Sequence, residues 1–122
     1  MTNVDLAYAS ATELLKLFKA RKASPVELLK TLIARIQKLN KEINCLADCY
    51  FDEALAKAKT AEQLYAKRGF KPRALEGIPL LVKDAQRVKD KRTTHGSLIF
   101  ANNIDDHSDP QIDRLEKAGA II

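Results

Sequence analysis

The chain has 122 residues, 46% of them hydrophobic and 30% charged, with 4 Gly, 4 Pro, 2 Cys and no Trp. That suffices for one small domain with a core of its own, and no run approaches the ~18 apolar residues that a membrane span requires. The 21 Lys+Arg against 16 Asp+Glu give a net charge of +5, an excess found in many cytosolic proteins and in nucleic-acid binders alike, so charge excludes little.

The opening MTNVDLAYASATELL has no basic segment ahead of an apolar run, and a cytoplasmic, reducing setting is the default expectation. Ser10 followed by Glu13 has the form of a capping box, and Leu14, Leu15, Leu17 and Phe18 supply the apolar stripe of a first helix running to about Lys22. Ser24, Pro25, Val26 and Glu27 start a second. Here the serine can cap, the proline fits the first helical position and the glutamate can close the box. Val26, Leu29, Leu32, Ile33, Ile36 and Leu39 then recur at helical spacing, with Asn40 as the expected stop. Cys45 and Cys49 lie among apolar neighbours in INCLADCYF and are expected to be buried thiols. They are too few for a disulfide framework, and His95 and His107 stand too far apart for the paired-histidine half of a zinc finger, so no metal is expected. A third helix should begin near Phe51, carry Ala54, Leu55, Ala58, Leu64 and Tyr65, and end at Gly69.

The character changes beyond Gly69. Phe70 to Arg73 reads as a linker held by Pro72, and Ile78 to Val82 (IPLLV) is a short continuous apolar run after a glycine, the pattern of a strand buried on both faces. Thr93 to Ser97 is loop-like. Asp109 and Pro110 open a last helix through Ile112 and Leu115, closed by Gly119, and Ala120 to Ile122 begin a second apolar run. The expected fold class is therefore α/β, with a helical segment over residues 1–74 and the first strands of a mixed or parallel sheet within 75–122 of the same domain. Two such strands cannot satisfy each other's backbone groups, so the chain reads as part of a larger α/β domain, the alternative being a small self-standing domain of helices with a minor sheet.

Lys83 follows the apolar run directly and precedes Asp84, which places it at the carboxyl end of the expected strand, where open α/β sheets hold their ligand crevices. Partial desolvation there would favour the neutral amine, a base, while Asp84 would push the other way. A strand-end lysine reaching into solvent explains the same position without any chemistry.

The wider context bears on that choice. LEGIPLLVKD at Leu75 to Asp84, TTHGS at Thr93 to Ser97 and RLEKAGAII at Arg114 to Ile122 together resemble the amino-terminal part of the amidase signature family, and SPVELLKTLIARIQKLNKEIN resembles its leading helices. Three ordered motifs at compatible spacings are more specific than any one alone. The resemblance implies amide hydrolysis, or transfer of the ammonia released, by a nucleophilic serine, a second serine held by a cis peptide bond and a lysine, without metal or organic cofactor. It carries the lysine's role onto Lys83, which would accept a proton relayed by the bridging serine. Gly77 and Pro79 would serve the backbone path into the strand, and Asp84 would fix its far end.

The family's two serines lie in a Gly/Ser-rich segment that does not occur between Lys83 and Ile122, and neither Ser97 nor Ser108 matches them. These residues alone are therefore expected to be catalytically silent. The family also usually carries a glycine ahead of the threonine pair, where this chain reads VKDKRTT, with Asp90 the residue best able to take a left-handed turn.

Other readings compete. Lys83, Arg87, Lys89, Lys91 and Arg92 could form a phosphate-binding stripe, of interest if the chain belonged to a tRNA-dependent amidotransferase. With no interleaved aromatics and with Asp84 and Asp90 diluting it, a solvated helix face is the better account, and nucleic acid is not expected as a partner. The leading helices could instead be a non-catalytic interaction module, although packing of Val26, Leu29, Ile33 and Ile36 within their own domain is the simpler account. His95 reads as a loop residue and Tyr65 as core. The partner expected for the whole enzyme is a small-molecule amide, with no membrane; leading helices of this kind are also compatible with a homo-oligomer.

Overall fold

The computed structural model describes residues 3–122, with side chains described from Leu6 onward. Five α-helices are present among these residues: α1 (Asn3–Tyr8), α2 (Ala11–Lys19), α3 (Pro25–Ile43), α4 (Phe51–Ala66) and α5 (Pro110–Lys117), with a single 3-10 turn at Leu98–Phe100.

The caps explain where the helices start. Glu13 N–H donates to Ser10 Oγ at 3.3 Å while the Glu13 carboxylate accepts from Ser10 N–H at 2.8 Å, the reciprocal box expected for α2. Ser24 Oγ accepts from Glu27 N–H at 3.1 Å and Pro25 occupies the first turn of α3.

The helix ends depart from expectation. Arg21 takes a left-handed φ of 54°, and Lys22 N–H and Arg21 N–H donate back to Leu17 and Phe18 carbonyls at 3.0 Å each, so α2 closes before the expected Lys22. In α3, Asn40 stays helical and Asn44 takes the left-handed position instead, with φ 49°. The Asn40 side chain then holds the chain that follows, accepting from Leu46 N–H at 2.9 Å and donating to Leu46 O at 3.0 Å.

Two apolar cores organise the molecule. One gathers Leu6, Leu14, Phe18, Leu28 and Tyr65, with Phe70 and Ile78 packed against it. The other gathers Val26, Leu29, Ile33, Ala54, Ala58 and Ile121. The buried alanines of α4 let it lie close against α3. Both cores thus draw residues from either side of position 74.

The expected sheet is not there. Among the described residues there are no strands, only isolated bridges pairing Pro79 with Ile121 in parallel and Arg92 with Ile104 in antiparallel. Residues 75–80 do run alongside 118–121: Leu75 and Gly77 N–H donate to Ala118 and Gly119 carbonyls at 2.8 and 3.0 Å, Ile121 N–H to Ile78 O at 2.9 Å, and Leu80 N–H to Ile121 O at 2.7 Å. Among the described residues no backbone hydrogen bond joins the run to a second segment beyond Leu80, and Leu81 is 70% exposed. An apolar run reports a tendency to be covered, whereas a strand requires a second backbone in register. The α/β expectation is corrected accordingly to a helical fold with extended connections.

Candidate active site

The stretch leading to Lys83 is set by two close backbone approaches. Gly77 has φ +82° and an added Cβ would fall 2.6 Å from Pro25 Cγ; Gly119 has φ +102° and its Cβ would fall 2.7 Å from Glu76 Cα. Only a residue without a side chain fits either place. Between them lies Glu76, whose buried carboxylate accepts two bonds of 2.7 Å from the Arg73 guanidinium. That fork holds the Glu76 carboxyl below the usual carboxylate range despite burial. Tyr65 Oη donates to Glu76 O at 3.1 Å, and burial, aided by the Glu76 charge, pushes the phenol up to about 12. Tyr65 is core, as expected; Glu76 is a residue that sequence reasoning misses, its only signal being the spacing from Arg73.

Lys83 is exposed, where the sequence suggested partial desolvation. Its carbonyl accepts from Ala85 and Gln86 N–H at 2.7 and 3.0 Å, turning the chain sharply at the end of the apolar run. The side chain stands on the wall of a cleft of ≈ 670 Å³ whose apolar floor is formed by Leu29, Ile33, Leu80 and Ile121. Asp84 adjoins it and is clamped by one residue: Thr94 donates its N–H at 2.6 Å to one carboxylate oxygen and its hydroxyl to the other. The Thr94 hydroxyl, then its amide, keep the Asp84 carboxyl below its ordinary range.

The threonine pair divides its work. Thr93 is buried and its hydroxyl donates to Asp105, whose N–H bonds Lys91 O at 3.0 Å. Asn103 Nδ2 donates to Thr93 O at 3.0 Å. The left-handed turn expected at Asp90 is present, with φ 62°, so the missing glycine is replaced by a residue that tolerates the conformation. His95, also left-handed at φ 52°, is an exposed loop residue in edge contact with the Phe100 ring at 5.5 Å. Ser97 Oγ accepts from Ile99 N–H at 3.3 Å and Ser108 Oγ from Lys89 N–H at 2.9 Å, so both serines cap backbone.

Two expectations from the sequence are corrected here. Cys45 and Cys49 are exposed, because they lie in the irregular connection between α3 and α4 and line the cleft instead of a core. The basic cluster is no helix face, since residues 84–92 form turns. Lys91 pairs with Glu53, Arg92 with Asp48, and Arg87 donates to His107 Nε2 at 3.0 Å, so much of the cluster's positive charge is spent internally. Among the described residues no group of three His, Cys, Asp or Glu is arranged to hold a metal ion, and no helix is long and apolar enough to cross a membrane.

Lys83 and Asp84 line one cleft, Thr94 clamps Asp84 from the adjoining loop, and the Gly77 and Gly119 contacts set the stretch that leads to the lysine; together these features define a class. The family model for amidases matches residues 27–122, and the chain belongs to the amidase signature family. It is 36% identical over 102 residues to a glutamyl-tRNA(Gln) amidotransferase subunit from Geobacter sulfurreducens, covering 84% of this chain and 21% of that protein. With the corresponding glutamyl-tRNA(Gln) amidotransferase subunit from Dehalococcoides mccartyi it shares 33% over 118 residues, covering 97% of this chain and 24% of that protein. Among solved structures, a fatty acid amide hydrolase superposes with a TM-score of 0.89 at 30% identity, over 99% of this chain and 22% of that one. The chain thus spans less than a quarter of the length of these relatives.

Proposed function

We propose that these residues form the amino-terminal part of a cytoplasmic amidase that cleaves carbon–nitrogen bonds through a serine, a cis-peptide serine and Lys83, with a small amide as substrate. Residues 75–122 begin the catalytic core and residues 1–74 brace it from behind. The single observation that supports this most is that Lys83 and Asp84 line one cleft while Thr94, in the Thr93–Ser97 loop, clamps the Asp84 carboxylate. In this reading Lys83 accepts the proton that the bridging serine relays from the nucleophile, and returns it to the leaving amine. Both serines come from sequence beyond Ile122, so residues 1–122 alone turn over no amide. The names of the curated relatives favour one more specific version, in which the protein is the amidase component of an amidotransferase, releases ammonia from a glutamine-type amide and works beside partner subunits.

The test is reaction with a fluorophosphonate, an electrophile that traps nucleophilic serines, followed by peptide mapping. The longest protein encoded by the gene should be labelled on a serine beyond residue 122, and residues 1–122 alone should remain unlabelled. Stoichiometric labelling of Ser97 or Ser108 would overturn the assignment.

A further inference from the structure

Asp48, in the connection from α3 to α4, and Arg92, just ahead of the threonine pair, meet although they are far apart in the chain. Arg92 Nε donates to Asp48 Oδ2 at 3.0 Å, Nη2 to Oδ1 at 2.9 Å, and Nη1 to the Ala101 carbonyl at 3.1 Å. Lys91, the preceding residue, pairs with Glu53 in the first turn of α4 and lies 4.4 Å over the Tyr50 ring. Two consecutive cations therefore grip residues 48–53, while the next two residues, Thr93 and Thr94, grip Asp105 and Asp84.

A single exposed ion pair does little, because two long side chains must be ordered to make it. This one differs in three respects. It is a two-bond fork, a third bond fixes the plane of the guanidinium, and the neighbouring Lys91 pair makes it part of a network. Asp48, Tyr50, Lys91 and Arg92 also line the cleft that Lys83 lines, so the grip crosses the wall on which the lysine stands.

We propose that the Asp48–Arg92 pair is a positioning device for Lys83: it sets the register of residues 92–94, so that Thr94 holds Asp84 and the Asp84 backbone holds the lysine. The role of the lysine rests on the function proposed above. Neither acidic partner belongs to the motifs that mark the family; the brace is argued from the contacts of Asp48 and Glu53 alone. Arg92→Lys keeps the charge and loses the fork, which makes it the informative replacement.

The experiment uses the longest protein encoded by the gene, with Asp48→Asn, Arg92→Gln, Arg92→Lys and the double variant Asp48→Asn/Arg92→Gln. Ammonia release from a primary amide gives kcat and KM, and hydrogen exchange by mass spectrometry follows the 93–97 segment. Each single variant should lose about 10-fold in kcat with KM nearly unchanged, exchange at 93–97 should quicken, and the double variant should be no worse than the singles. Arg92→Lys should recover little. Unchanged kcat and exchange in Asp48→Asn, or a double variant equal to the sum of its parts, overturns the brace. Lys83→Ala in the same assay separates the two ideas. Full turnover by that variant removes the lysine's role and with it the positioning proposal, whereas loss of turnover with unaltered exchange at 93–97 in the Arg92 variants defeats the brace alone.

Discussion

Gly77 shows how one residue can carry shape without chemistry. Its φ of +82° is costly for any L side chain, and a Cβ would meet Pro25 Cγ at 2.6 Å and Cβ at 3.0 Å. Pro25 sits in the first turn of α3 and cannot swing aside. Gly77→Ala should therefore destabilise by about 2–4 kcal/mol, strain and overpacking together, measured as a shift in urea midpoint at constant slope. Loss of amide turnover with an unshifted midpoint would contradict this division of labour. Asp84 makes the opposite case. Its carboxyl is held below the ordinary range by Thr94, so the clamp is complete above the unfolded value of about 3.9 and is lost as pH falls through the lower folded value. Exchange protection of the Thr94 amide should be flat from about pH 5 upward and collapse only in strong acid. Protection that fades as pH rises through neutrality would mean that the carboxylate is not the acceptor.

At the scale of elements, what the sequence discloses follows from how local each signal is. Starts of helices are legible at Ser10 and Ser24 because capping residues lie within four positions of the groups they satisfy. Ends are less so. Arg21 and Asn44 close α2 and α3 in left-handed conformations where no glycine advertises a stop, and Asn40 turns its side chain to the loop instead of ending the helix. Helix α1 is missed because six residues carry too little periodicity to stand out. The strand expected at Ile78–Val82 rests on composition, and composition does not report whether a second backbone is in register. In the site, Lys83 and Asp84 are legible through the motif that contains them. Asp48 and Glu76 are not, since each acts through a partner that only the fold brings near or that shares no recognisable pattern. The 90–92 turn survives without glycine because Asp90 can adopt φ 62°.

The whole molecule carries apolar surface that its helices do not cover. Leu98 is 94% exposed, Ile99 87%, Leu81 70% and Ile104 61%, and Leu81 lies at the cleft that Lys83 lines. Such a surface is unusual for a free-standing small protein. Residues 1–122 expressed alone should therefore self-associate and bind a hydrophobic dye such as ANS, as judged by sedimentation and fluorescence. A monodisperse, dye-silent and cooperatively unfolding chain would instead favour an independent helical module. The role of the lysine at that cleft is tested by kcat/KM for amide hydrolysis by the longest encoded protein against its Lys83→Ala variant, with the thermal midpoint of each recorded. The Lys83→Ala variant should lose about 1,000-fold or more at an unchanged midpoint. Turnover within a few-fold of the parent protein would contradict it.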